Sequence, residues 1–284
     1  MATAAVATAT HHWETKGAFD SAAIPGISLP LVEKDLVLSS ETYNGLIPIE
    51  KQVKLQDSYA EHIKALLAII NKHGMGGLFG VHSLHRHDAV PEKMIRLEAA
   101  APGIDGMNWT RATPITGELL TEEEIHATFF KVQDGTLIPF EFAKGPSPLK
   151  NHKISPQFII EIAKYLFEHD LTDLISIEVK DFTKACAGDE KRTSELDVVW
   201  GTTESLTVVL PFSRMVYGVT NPVPTGWSVQ DYSPAEGPGP GEHWNESTKS
   251  DGTKTHKVHV DSVEPITPKL LNDALVNLGY ITKA

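Results

Sequence analysis

The chain has 284 residues, 41% hydrophobic and 22% charged, a balance that argues against disorder over most of its length and is sufficient for a buried core. Its 25 Lys and Arg stand against 37 Asp and Glu, a formal charge of −12, so a nucleic acid would meet repulsion over most of the surface and is not expected as a partner. Cys186 is the single cysteine, which excludes an intramolecular disulfide, a CxxC redox pair and a thiolate zinc cluster, and fits a reducing, cytoplasmic setting.

Residues 1–12 are expected to form a disordered tail, because Met1 to Thr10 are Ala and Thr with one Val and lack the charged start and apolar stretch of a signal peptide. No window reaches the roughly 18 to 20 apolar residues of a membrane-spanning helix, so no membrane association is expected. Asn108-Trp109-Thr110 and Asn245-Glu246-Ser247 match the glycosylation pattern, but without a secretion signal both read as chance matches. From 11 to 56, scattered Pro and Gly separate short apolar runs such as Ile27–Leu31 and Leu36–Leu38, which predicts brief extended segments wrapped over another element.

The pattern then turns helical. Ile63, Leu66, Leu67 and Ile70 share one face, with Asp57 or Ser58 as cap and Gly74 as stop. Leu78 to His87 is expected to be extended and to form a hairpin with Lys93 to Ala99. A second hairpin joins Ile125–Val132 to Thr136–Phe142 through Asp134-Gly135, which supplies the positive backbone angles a tight turn requires. The acidic run Thr121-Glu122-Glu123-Glu124 looks like a capping box ahead of it. Lys144 to Pro156 reads as a linker. After it, Ile159, Ile162, Ala163 and Leu166 define another helix, over 156–169, and Leu174–Val179 a strand.

This second unit echoes the first at an offset of roughly 96 residues, mostly through the generic signature of an amphipathic helix packing on a strand. Ser194–Trp200 and Ser205–Phe212 form a further expected hairpin. The Pro- and Gly-rich stretch 221–256 reads as a long loop, with Trp227, Tyr232 and Trp244 favouring a packed or ligand-covering role. Lys257–Val260 is expected as a last strand and 267–278 as a last helix. The fold class is therefore α+β: a mostly antiparallel sheet of hairpins with about three helices on one face, in a single domain over 13–284.

The chemistry concentrates in His82-Ser83-Leu84-His85-Arg86-His87. On a strand His85 and His87 point one way, with Phe79 and Val81, and His82 the other. Two imidazoles at i and i+2 can grip one metal ion, zinc or iron, with a carboxylate completing a two-histidine-one-carboxylate set. His85-Arg86-His87 with Glu92 resembles the first metal motif of cupins. That family is a β-barrel whose last histidine lies on a later strand, where His126 is the candidate here. Strand register leaves two pairings open: His87 opposite Lys93 sets His82 against Glu98 for acid-base work, whereas a one-residue slip sets His87 against Glu92.

The segment Leu78 to His87 also resembles one in uncharacterised proteins of filamentous fungi that carry a Leu-His-Arg-His stretch. Asp88 departs from the bulky apolar residue expected after it, and no activity is implied. Cys186, beside Lys184, sits in no nucleophile motif; His256 and His259 cannot chelate together on a strand; His243 could enter a pocket from the 221–256 loop. There is no GxSxG, P-loop or GxGxxG. The functional expectation is a soluble intracellular enzyme acting on a small-molecule ligand, with His82 and Glu98 as catalytic candidates and His85, His87 and Glu92 as metal ligands. The alternative is a non-catalytic binding or assembly protein with structural histidines.

Overall fold

The computed structural model describes residues 21–52, 60–120, 125–180, 193–201, 204–216, 222–229, 232–233, 237–238, 243–246 and 257–283. The N-terminal tail, the Asp57/Ser58 cap, the 121–124 capping box, Cys186 and His256 lie outside the described residues.

Five α-helices occur among them: α1 (Glu33–Asn44), α2 (Ile49–Gln52), α3 (Ala60–Lys72), α4 (Pro156–Glu168) and α5 (Pro268–Asn277). The last three occupy the places their periodicity predicts. Pro268 opens α5 and the Thr267 hydroxyl accepts from the Leu270 N–H. Helix α1 replaces the extended segment expected around Leu36–Leu38. Its Ser-Ser-Glu-Thr run carries little helical periodicity, and tertiary burial of Leu36 and Tyr43 overrides that weak local signal. The Asp35 carboxylate accepts from the Val32 N–H at 2.9 Å and closes its first turn.

The strands are β1 (Phe79–Ser83), β2 (Met94–Ala100), β3 (Asn108–Pro114), β4 (Ile125–Gln133), β5 (Thr136–Lys144), β6 (Ile175–Val179), β7 (Thr193–Trp200), β8 (Glu204–Pro211), β9 (Pro222–Ser228), β10 (Tyr232–Ser233), β11 (Gly237–Pro238), β12 (His243–Glu246) and β13 (Lys257–Val260). All but β10 and β11 join one mixed sheet in the order β12-β9-β1-β6-β4-β5-β2-β3-β8-β7-β13, and β12 also pairs with β7. Most neighbours are antiparallel; the β2–β5, β12–β7 and β13–β7 pairs are parallel.

Two expected hairpins form. Gln133 pairs with Thr136 across Asp134 (φ +50°) and Gly135 (φ +77°), and Trp200 pairs with Glu204. The expected hairpin of β1 with β2 does not. β1 pairs with β6 and β9, while β2 lies between β3 and β5. Among the described residues of 221–256, β9 and β12 run in the sheet and Trp227 is buried, where a loop was expected. The expected linker contributes Leu149 to the core. Among the described residues no helix is long and apolar enough to cross a membrane.

The units α3–β1 and α4–β6 match bond for bond at the 96-residue offset. Gly74 (φ +66°) and Asp170 (φ +55°) end the helices in the left-handed conformation. The Met75 and Leu171 N–H groups then donate back to Ile70 O and Leu166 O, and Val81 meets Ile177 in the ladder. Both helices press on the same sheet face, where Phe79, Val81, Ile175, Ile177 and Val179 enter one apolar cluster with Ile63, Leu66, Leu67, Ile159 and Ile162. Alternation sends Gly80, His82, Ser176 and Glu178 to the opposite face. A second cluster, built from β7, β8, β13 and α5, buries the apolar side of the other half. The sheet therefore keeps a polar face that is itself largely buried, and the histidines lie there.

Candidate metal centre

β1 ends at Ser83, and four backbone bonds then fix the histidine segment. The Leu84 N–H donates to Leu174 O, the Arg86 N–H to Ile47 O, the Ile49 N–H to Arg86 O, and the His87 N–H to the Tyr43 hydroxyl at 2.9 Å. Beyond it, Asp88 accepts from Ser205 and Lys257, tying the segment to β8 and β13. The strand predicted to run unbroken to His87 is thus interrupted, and strict alternation fails. His82, His85 and His87 line one small cavity with Phe129, Phe140, Glu141 and Glu195, instead of His82 facing away.

The Nδ1–H groups of His82 and His85 both donate to the Ser83 carbonyl, at 2.9 and 2.8 Å. His87 Nδ1 donates to Asp197 Oδ2 at 2.8 Å. Because each partner is an acceptor, each Nδ1 carries its proton, and in a neutral ring the lone pair is then on Nε2. One ligand atom each from His85, His87 and Glu195 lies within 4.8 Å of the others, and His87 Nε2 is 4.0 Å from Glu195 Oε2. The cavity holds about 20 Å³, room for one water-sized particle.

A closed ring of contacts holds His87. Asp197 Oδ1 accepts from the Thr207 hydroxyl at 2.8 Å, and Thr207 accepts from Arg96 at 2.8 Å. The Arg96 guanidinium lies 5.5 Å from the Tyr43 ring centre, and Tyr43 returns to the His87 backbone. Strand register makes this ring: Asp197 is opposite Thr207 in β7–β8, Thr207 opposite Thr110 in β8–β3, and Arg96 sits one strand further on. A carboxylate behind a histidine in this way sets its tautomer, aims the ring and raises its basicity toward a metal.

The charges respond to one another. Burial disfavours the His87 imidazolium, but the charge and hydrogen bond of Asp197, with Glu195, outweigh it and raise its pKa above the ordinary value. For Asp197 burial pulls upward, and His87, Thr207 and Arg96 outweigh it, so the carboxyl sits below its usual range. Burial pushes Glu141 up to about 7 against the pull of Arg96 and His87. Burial likewise pushes the Tyr43 hydroxyl far up. Arg96 is the permanent cation beside Glu141 and Asp197, and Glu195 borders the histidine cavity with Glu141, a grouping of carboxylates that would favour a bound divalent ion.

The structure brings His82, His85 and His87 together and separates the other expected residues from them. Glu92 is exposed in the loop before β2, outside the ligand group. Glu98 accepts from Asn108 Nδ2 at 2.7 Å, and His82 is in register with Ser176 and Gly226, so neither open pairing of β1 with β2 is realised. His126 donates from Nδ1 to Gly145 O and lines a different cavity. His259 is exposed on β13. Glu141, Glu195 and Asp197 were not singled out from the sequence. The signal for the last two was available: acids at i and i+2 in Glu195-Leu196-Asp197-Val198, alternating with apolar residues in a predicted strand.

The fold and site together define an α+β protein with a mixed sheet, whose buried polar face carries a two-histidine-one-carboxylate cluster. Comparison of the chain with protein-family models, curated proteins and solved structures finds no match.

Proposed function

We propose that this protein is a metal-dependent enzyme acting on a small molecule, with zinc or iron held by His85 Nε2, His87 Nε2 and the Glu195 carboxylate. The observation that carries the reading is the convergence of these three groups while both imidazoles are anchored through Nδ1. Three ligands leave coordination positions open. Zinc in such a set polarises a carbonyl or lowers the pKa of bound water, and iron in such a set serves oxygen chemistry. The chain's own residues would hold the ion and one small exchangeable ligand: Asp197 holds His87, Phe129 and Phe140 wall the cavity, His82 and Glu141 stand beside it, and a larger substrate would require the cavity to widen.

A second reading has its own support, since the buried His87–Asp197 pair is complete without an ion and suits a structural role in a binding protein. Elemental analysis of untagged protein separates the two, with the His85→Ala, His87→Ala variant as control. Near-stoichiometric zinc or iron that disappears in the variant is expected. Absence of metal from the wild type, even after incubation with zinc or iron(II), overturns the metal reading and leaves the structural one.

A further inference from the structure

The end of α3 meets the start of α4 through Lys72 and Glu161, and the start of α3 meets the end of α4 through His62 and His169, so the two helices run antiparallel. The 96-residue echo makes these two junctions comparable. His73 and His169 are counterparts, each just past its own helix, and each sets its ring against the first turn of the other helix. His73 meets Phe158 with 5.7 Å between ring centres; His169 meets His62, the counterpart of Phe158, at 4.9 Å. The first junction is a closed ion cluster, in which Glu161 accepts from His73 at 2.8 Å and from Lys72 at 2.7 Å. At the second, Ala65 stands where Glu161 would be and His62 where Phe158 would be. Two imidazoles meet there, and among the described residues no carboxylate is bonded to either.

The second junction has the dimensions of a metal site. A ligating imidazole nitrogen stands about 2.1 Å from zinc, which puts the ring centre roughly 3.2 Å from the ion and two rings on a tetrahedral ion about 5 Å apart. The His62 and His169 rings are 4.9 Å apart and inclined at 50°, against 4.8 Å and 75° for His85 and His87. His62 Nδ1 lies 3.0 Å from the Tyr165 hydroxyl, and the tautomer that donates to it carries its lone pair on Nε2. Tyr165 also packs on His169, with 4.2 Å between ring centres, so one tyrosine positions both imidazoles. Burial and the neighbouring His169 both lower the His62 pKa, which keeps the ring neutral and able to ligate. His62 is half-buried and His169 exposed, so water can complete the coordination.

We propose that His62 and His169 form a zinc site that clamps the start of α3 to the end of α4, with Tyr165 as a positioning residue. The site is separate from the histidine cluster. Helices α3 and α4 press on the apolar face of the sheet, whereas His82, His85 and His87 line the cavity on its polar face.

Zinc uptake by chelator-treated protein at neutral pH, measured by equilibrium dialysis with elemental analysis and paired with thermal unfolding, tests this. His62→Phe introduces the side chain that already fills the equivalent place in α4, so the variant should fold. At micromolar zinc the wild type should bind one ion per chain more than His62→Phe or His169→Ala. Zinc at about a hundred-fold excess over its Kd should raise the wild-type thermal midpoint by roughly 5 °C more than that of either variant. Tyr165→Phe should weaken this ion about ten-fold. The same one-ion difference is expected when His62→Phe is made in the His85→Ala, His87→Ala background, so the outcome is independent of the metal reading of the histidine cluster. Equal zinc stoichiometry in wild type and His62→Phe, or an equal zinc-induced thermal shift, overturns the proposal; undiminished affinity in Tyr165→Phe overturns the positioning role.

Discussion

Replacing Asp197 by asparagine keeps the volume of the side chain and removes its charge from beneath His87. The carboxylate accepts two hydrogen bonds at 2.8 Å, from His87 Nδ1 and from Thr207, and is 1% exposed. A hydrogen bond to a charged group contributes about 1.5–3 kcal/mol and a neutral one about 0.5–1.5 kcal/mol, so the exchange weakens the hold on His87 by roughly 1–1.5 kcal/mol. If the amide instead turns its NH2 toward Nδ1, the imidazole must move its proton to Nε2 and loses its ligand lone pair. Either route lowers metal affinity, and loss of such an outer partner typically costs about 10- to 100-fold. Zinc affinity measured by competition with a chromophoric chelator should fall by that factor in Asp197→Asn. The urea midpoint of the metal-free protein should fall by an amount equivalent to about 1–2 kcal/mol. An Asp197→Asn protein that binds zinc as tightly as the wild type would refute the argument that Asp197 orients a ligand.

The third ligand is tested by comparing Glu195→Gln with Glu92→Gln: the first should lose stoichiometric metal by elemental analysis, while the second retains it. Glu141 supplies a pH test in the apoprotein with chelator present. Its folded pKa of about 7 lies above its ordinary value of 4.5, so the native state holds a proton that the unfolded chain releases, and stability declines as pH rises through that window. Glu141→Gln should flatten the decline in urea midpoint between about pH 5 and pH 8, by at most about 3 kcal/mol. The His87–Asp197 pair acts with two signs. Its Asp197 contribution is present above the unfolded carboxyl pKa and lost as pH falls through the depressed folded value; its His87 contribution is present at low pH and lost as pH rises through the raised one. Gly80→Ala would place a Cβ 2.5 Å from Lys180 Cε and 2.7 Å from Trp227 O, and should destabilise the folded state by about 1–3 kcal/mol, read as a lower thermal midpoint.

Much of the fold could be read from local patterns. The faces of α3, α4 and α5, the Asp134-Gly135 turn and the 96-residue echo are short-range features, set by periodicity and by residues that tolerate positive φ. The concentration of His82, His85 and His87 in one segment was also legible, but the strand expected to align them stops at Ser83, and bonds to Ile47, Ile49, Tyr43 and Leu174 set their arrangement. The partners of these elements were not legible. β1 lies beside β6 and β9 rather than the adjacent β2, and a weakly amphipathic stretch became α1 through burial of Leu36 and Tyr43. Residues more than a hundred positions from the histidines, Glu195 and Asp197, reach them only because β7, β8, β3 and β2 pair in one register. Composition and spacing marked the histidine segment as the candidate site. Sheet order, a long-range property that many sequences' local signals leave open, decided that Glu195 rather than Glu92 stands beside it and that Asp197 holds His87 in place.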